Sequence, residues 1–352
     1  VSIGLTDILE SAGKPTREFG SPDGSKILVL PYGGRVLGLF ASSSAENFYW
    51  THPALASVES ARGFYSSDQW HNSGGDRTWL APEIDLFFPD YPSRKTYFQQ
   101  RALDPGSYEV ADHNGVLEIA GRFEVKNYRT GRLISLEISK RIGPALNPLR
   151  YERALEVSDV EYAGYTQRTL LKIADGGEHS RIELWSLVQM PHGGNLLIPT
   201  YSRTEPTRIF GSIPDEDLVV QKRTIRYKMR QTGEHRIAVK AVATTGRVGY
   251  KYCSGGNWAL IVRNFAVNPS GEYIDTPWDD FDDLGYSAQA CNVNSALGRF
   301  SELEYHIPAI GAGTERLQCS DETQVWAFRG SKRGVEEIAR VLLGANEDSA
   351  VD

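Results

Sequence analysis

Methionine is nearly missing from this 352-residue chain, with 2 residues, and cysteine is scarce, with 3. Cys253, Cys291 and Cys319 lie far apart, are odd in number and lack metal-ligand spacing, so free buried thiols are expected, without a disulfide framework, a zinc site or a thiol catalyst. Long hydrophobic runs are also missing. No apolar stretch approaches the ~18 residues of a membrane-spanning helix, and residues 1–20 lack the basic start and apolar segment of a secretory signal. No membrane partner is expected, and the compartment stays open. Positive charge is in deficit: 38 Lys and Arg against 45 Asp and Glu give a net charge of −7, which argues against a nucleic-acid partner. The most basic run, Lys222 to Arg230, alternates with Ile225, Tyr227 and Met229 and reads as a charged strand. The motifs GxGxxG, GxxxxGK, HExxH and GxSxG are absent, so nucleotide, zinc-protease and α/β-hydrolase chemistries lose support and no cofactor is expected.

Helical periodicity is scarce and lies mainly at the ends. Ile3, Leu5, Ile8 and Leu9 suit a short amphipathic helix closed near Gly13. Val335, Ile338, Ala339 and Leu342 suit a second one over about 333–344, with Gly344 at its end. Between them the pattern is period two. In RLISLEISK, Ile134, Leu136 and Ile138 fall on one face while Ser135, Glu137 and Ser139 fall on the other. Turn pairs at Asp23-Gly24, Asn114-Gly115, Thr130-Gly131 and Thr232-Gly233 predict successive hairpins. With 40% apolar residues, no linker and no fixed-period repeat, the chain reads as a single all-β domain over 1–352. It is expected to be a large antiparallel β-sandwich with short terminal helices and a core of about 25–330. The irregular stretches 51–94 and 266–285 are long enough to line or cover a binding site.

Three segments carry candidate chemistry. In HNSGGDRTWLAPE, from His71 to Glu83, Arg77 offers a planar fork of donors, Trp79 a flat apolar face and Glu83 an acceptor. That mixture suits a sugar, which needs stacking and hydrogen bonding together, although core packing of Trp79 and pairing of Arg77 with Asp76 or Glu83 explain it equally. In FSELEYHIP, a strand would turn Leu303, Tyr305 and Ile307 to the core and leave Glu302, Glu304 and His306 on the opposite face. A carboxylate beside an imidazole can serve as base and acid near neutral pH; the plain alternative is a solvated strand face. In RIELWSLVQMPHGGN, Trp185 and Gln189 share a face with Arg181 and Glu183, and His192 follows in a turn where it would reach a ligand or simply end the strand. The segment Asp275 to Asp283 holds five Asp but lacks the Gly and terminal Glu of an EF-hand, so it reads as a solvated acidic loop.

These segments, in this order, resemble the galactose-mutarotase-like superfamily, and most closely its poorly characterised bacterial branches. The likeness is carried by GGDRTWLAPE, WSLVQMPHGG, RVGYKYCSGGNWALIVRNF at 247–265 and SELEYHIPAIGAGTERLQCSDETQVW at 301–326, and spans about 25–330. It implies the large super-sandwich of that superfamily, with a carbohydrate site on a concave sheet face. In true aldose 1-epimerases a Glu near the C-terminus takes the anomeric proton while a His protonates the ring oxygen. Glu304 is most similar to that base, with Glu302 as the register alternative, and Arg77 resembles a substrate-orienting Arg. The Asn-His-x-Tyr-Phe element of true epimerases is replaced here by Leu187-Val188-Gln189-Met190-Pro191, so His192 and His306 are substitutes for the acid, chosen by proximity. The expected function is sugar 1-epimerisation on a mono- or oligosaccharide, with His71, Glu83, Trp79, Trp185, Gln189 and Glu302 also contacting substrate. A non-catalytic sugar-binding protein, and a glycosidase or polysaccharide lyase pairing Glu304 with Glu83, are the alternatives.

Overall fold

The computed structural model describes residues 4–113 and 115–344, and Ile3 and Asn114 lie outside them. Strands dominate, because the period-two runs have one face to bury. The strand Leu133–Pro144 alternates between buried and partly exposed positions along most of its length, as its sequence predicts. Every strand pair is antiparallel. The strands form two sheets, of nine and ten strands among the described residues.

The middle of the nine-stranded sheet runs Asp76–Ala81, Arg181–Pro191, Gly298–Gly311, Tyr286–Ser295 and Gly233–Lys240. The middle of the ten-stranded sheet runs Asn257–Phe265, Gln318–Gly330, Glu161–Asp175 and Leu133–Pro144. The sheets pack as a sandwich, with Tyr305 of the first stacked on Phe265 of the second at 4.5 Å. Polar bonds cross the same interface. Arg263 donates to Asp76 at 2.6 Å, and the Tyr165 hydroxyl donates to the same carboxylate oxygen at 2.5 Å.

The terminal helices are Leu5–Ser11 and Lys332–Leu343. The second starts on Ser331, whose hydroxyl accepts from the Gly334 amide at 3.1 Å, and ends on Gly344 at φ 63°, the left-handed position that glycine tolerates. Its Val335, Ile338, Ala339 and Leu342 are buried in one cluster with Leu260, Val262 and Phe328 of the ten-stranded sheet.

Two expectations are corrected. The stretch 51–94 is not irregular: it holds the helices Val58–Ser66 and Glu83–Leu86, a 3-10 turn at Pro53–Ala56 and the strand Asp76–Ala81. Val58–Ser66 buries only Ala61, so its apolar stripe is too thin to read from sequence. All three cysteines are free, but only Cys291 is buried; Cys253 is exposed at a strand end and Cys319 is intermediate.

Candidate active site

Strand alternation sets the two faces of Gly298–Gly311. Tyr305 turns inward and bonds Asp321 of the other sheet, so Glu302, Glu304 and His306 turn outward. That outward face is not solvated. Glu302, Glu304 and His306 are 5%, 1% and 0% exposed, and the segments that carry Glu83, Asp104 and Asp275 lie over this part of the sheet. The neighbouring strands add Arg77 and Trp79, then Glu183, Trp185 and Gln189, then Gln289 and Cys291, and then Arg236.

Glu302 receives Arg77 Nη2 at 2.8 Å and Gln189 Nε2 at 3.0 Å. Glu304 Oε2 receives the Trp185 indole N–H at 3.0 Å, and Arg236 Nε lies 4.0 Å from it. Glu304 Oε1, Gln189 Oε1 and Arg77 Nε and Nη1 have no hydrogen-bond partner among the described residues. Burial pushes the Glu304 carboxyl up to about 8; Arg236 opposes the shift, and Glu302 and Glu83 reinforce it. His306 Nδ1 lies 3.0 Å from Glu183 Oε2, while its Nε2 has no hydrogen-bond partner and lies 3.9 Å from Asp275 Oδ2. With Nδ1–H donating to Glu183, Nε2 accepts a proton in the neutral ring and donates one in the imidazolium.

The covering layer is pinned by carboxylates. Glu83 accepts from both terminal nitrogens of Arg236 at 2.7 and 3.2 Å and from the Tyr97 hydroxyl at 2.7 Å, which engages both of its oxygens. Asp275 accepts from the Glu83 amide at 2.8 Å and from Gln289 at 2.9 Å, so one Asp of the acidic loop is buried rather than solvated. Asp104 accepts from Arg35 with both oxygens at 2.8 Å, and from the indoles of Trp79 at 2.8 Å and Trp70 at 3.1 Å.

Thus Arg77, Trp79, Glu83, Trp185, Gln189, Glu302, Glu304 and His306 lie in one buried cluster. Both tryptophan rings are already faced by protein: Trp79 by the Arg77 guanidinium at 4.2 Å and Phe87 at 4.7 Å, Trp185 by His306 at 5.4 Å and Arg236 at 5.0 Å. The structure leaves two candidates outside the cluster. His192 lies beside Asn292, whose strand partner Ser301 bonds Tyr250 of the other sheet, so that neighbourhood belongs to the opposite face. His71 bonds the Tyr32 hydroxyl at 2.5 Å and packs among Phe64 and Tyr65. Arg236, Asp104 and Tyr97 were not singled out by the sequence. Only Arg236 left a signal, as the charged outward position beside Ile237 in a period-two strand.

Cys291, Glu302 and Glu304 bring their ligand-type atoms within 4.8 Å of one another. Arg77 and Arg236 stand as fixed cations against these carboxylates, which disfavours a further dication there.

Solved structures of similar fold include a galactose mutarotase related enzyme from Lactobacillus acidophilus, at 7% identity, covering 88% of this chain and 96% of that one, with a TM-score of 0.47. An aldose epimerase homologue from C. elegans is 9% identical, covers 91% and 100% of the two chains and has a TM-score of 0.40. Galactose 1-epimerase from Lactobacillus acidophilus is 9% identical, covers 90% and 94%, and has a TM-score of 0.38. No curated protein matches the sequence. Residues 9–350 match the family of unknown function DUF6786, and the chain belongs to that family.

Proposed function

We propose that the protein is a carbohydrate-active enzyme of the sugar 1-epimerase type, with Glu304 as base and His306 as acid. The observation that carries this reading is the pair of unpartnered atoms, Glu304 Oε1 and His306 Nε2, two residues apart on one strand face. Glu304 takes the proton of the anomeric hydroxyl, the bond from the anomeric carbon to the ring oxygen breaks, and His306 protonates that oxygen. Rotation and the reverse transfers close the other anomer and restore both groups. Glu183 fixes the orientation of the imidazole, while the free N–H groups of Arg77 orient substrate oxygens. The sugar reaches this face when the covering segments part.

His306 is the better acid than His192, which stands apart from Glu304. A glycosidase pairing Glu304 with Glu83 has less support, because both Glu83 oxygens are already engaged. Polarimetry of freshly dissolved α-anomers tests the reading. Wild type is expected to speed interconversion of at least one aldose or uronate, and Glu304→Gln and His306→Gln to lose ~10²- to 10⁴-fold of that rate. A sugar that binds without any acceleration by wild type would leave the protein a binding module.

A further inference from the structure

A cavity opens on the outer side of the wall that covers the buried cluster. It has a volume of about 300 Å³, near the lower end of small-ligand sites. Its wall includes Pro82, Ile84, Ile274 and Thr276, the chain neighbours of Glu83 and Asp275. The Glu83 amide bonded to Asp275 at 2.8 Å therefore stands between this cavity and the His306 side of the cluster. Two further segments add to the wall, the turn that holds Asn127 and Arg129 and the residues from His179 to Arg181 at the start of the Trp185 strand.

The lining chemistry is that of a sugar subsite. Asp85 is 3% exposed; its Oδ2 accepts from Asn127 at 3.1 Å and Arg129 at 2.9 Å, and its Oδ1 has no partner among the described residues. Ser180, also 3% exposed, has an unpartnered hydroxyl. A buried carboxylate oxygen and a buried hydroxyl left without partners are costly, and a ligand hydroxyl relieves both. Phe281 supplies an aromatic ring that is 43% exposed, with the Arg129 guanidinium 5.7 Å from its centre. We infer that this cavity binds one pyranose unit, its hydroxyls bonded to Asp85 and Ser180 and its C–H face against Phe281. The subsite does not rest on the proposed function.

Titration calorimetry with the methyl glycosides of glucose, galactose and glucuronate tests the subsite, because a methyl glycoside has no anomeric hydroxyl and cannot be ring-opened. At least one is expected to bind the full chain, with Phe281→Ala and Ser180→Val each weakening it tenfold or more and Glu304→Gln leaving it unchanged. Phe281 lies on an exposed loop, so that variant is expected to fold even if Ser180→Val does not. Absence of binding by all three glycosides, or binding indifferent to Phe281→Ala, overturns the subsite. Binding lost in Glu304→Gln but kept in Phe281→Ala overturns it as well and places the sugar in the buried cluster. Loss of polarimetric activity with retained glycoside binding would count against the proposed reaction alone.

Discussion

Glu304 combines two properties that usually exclude each other, a buried carboxyl and an oxygen with nothing to bond. Its surroundings are mixed: Arg236 favours the charged form, while burial, Glu302 on its own strand, Glu83 on the covering helix and Asp275 on the acidic loop favour the neutral one. The buried Cys291 thiol of the neighbouring strand is itself pushed well up by burial. A folded-state value near 8 against an ordinary 4.5 means that the native protein holds a proton that the unfolded chain releases. The sign follows from linkage: this group's contribution to stability is fully present below about 4.5 and is lost as pH rises through about 8. Denaturant unfolding of wild type against Glu304→Gln at several pH values should show the variant gaining relative stability across that window. An equal difference at all pH values would show that Glu304 does not carry the proton. If Glu304 is the base, kcat/KM for anomer conversion rises with pH toward a limb near 8, and polarimetry from pH 6 to 9 reads it directly.

At the scale of elements, the segments over the nine-stranded sheet are held by ionic bonds as well as by apolar packing. Asp104 ties its loop to Arg35 and to the Trp79 indole, and Glu83 ties the short Glu83–Leu86 helix to Arg236. Arg35 is 0% exposed, so removing the Asp104 charge leaves a buried cation without a counter-ion. Breaking such a pair costs ~3 to 5 kcal/mol, and Asp104→Asn should lower the unfolding free energy by that amount in urea titrations. A loss below ~1 kcal/mol would mean that water reaches Arg35 in its place. The same bonding explains why the terminal helices and alternating strands are legible in sequence while this layer is not. Helix 332–343 declares itself by spacing within twelve residues, whereas the Glu83–Arg236 contact joins positions 153 residues apart.

For the whole molecule, the two sheets are keyed to each other by a polar bridge as well as by the stacked Tyr305 and Phe265 rings. Asp76 and Arg263 are each 1% exposed and belong to different sheets. A double-mutant cycle with Asp76→Ala and Arg263→Leu should show each single variant losing ~3 to 5 kcal/mol and the pair losing less than their sum. Strict additivity would mean that the bridge does not couple the sheets.

Local rules sufficed for much of this protein. Period-two hydrophobicity and turn residues determined an antiparallel all-β architecture, and alternation alone put Glu302, Glu304 and His306 together on one face, since neighbours on a strand cannot share one. Sequence could not tell whether that face meets water. Only the tertiary structure decided it, by bringing Asp104, Glu83 and Asp275 across the sheet onto Arg35, Arg236 and Gln289. It also separated His192 from His306, although both are near the candidate residues in sequence. The physical reason is the same in each case: periodicity is written over a few residues, whereas the burial and pairing of a charge depend on whatever distant segment arrives to cover it.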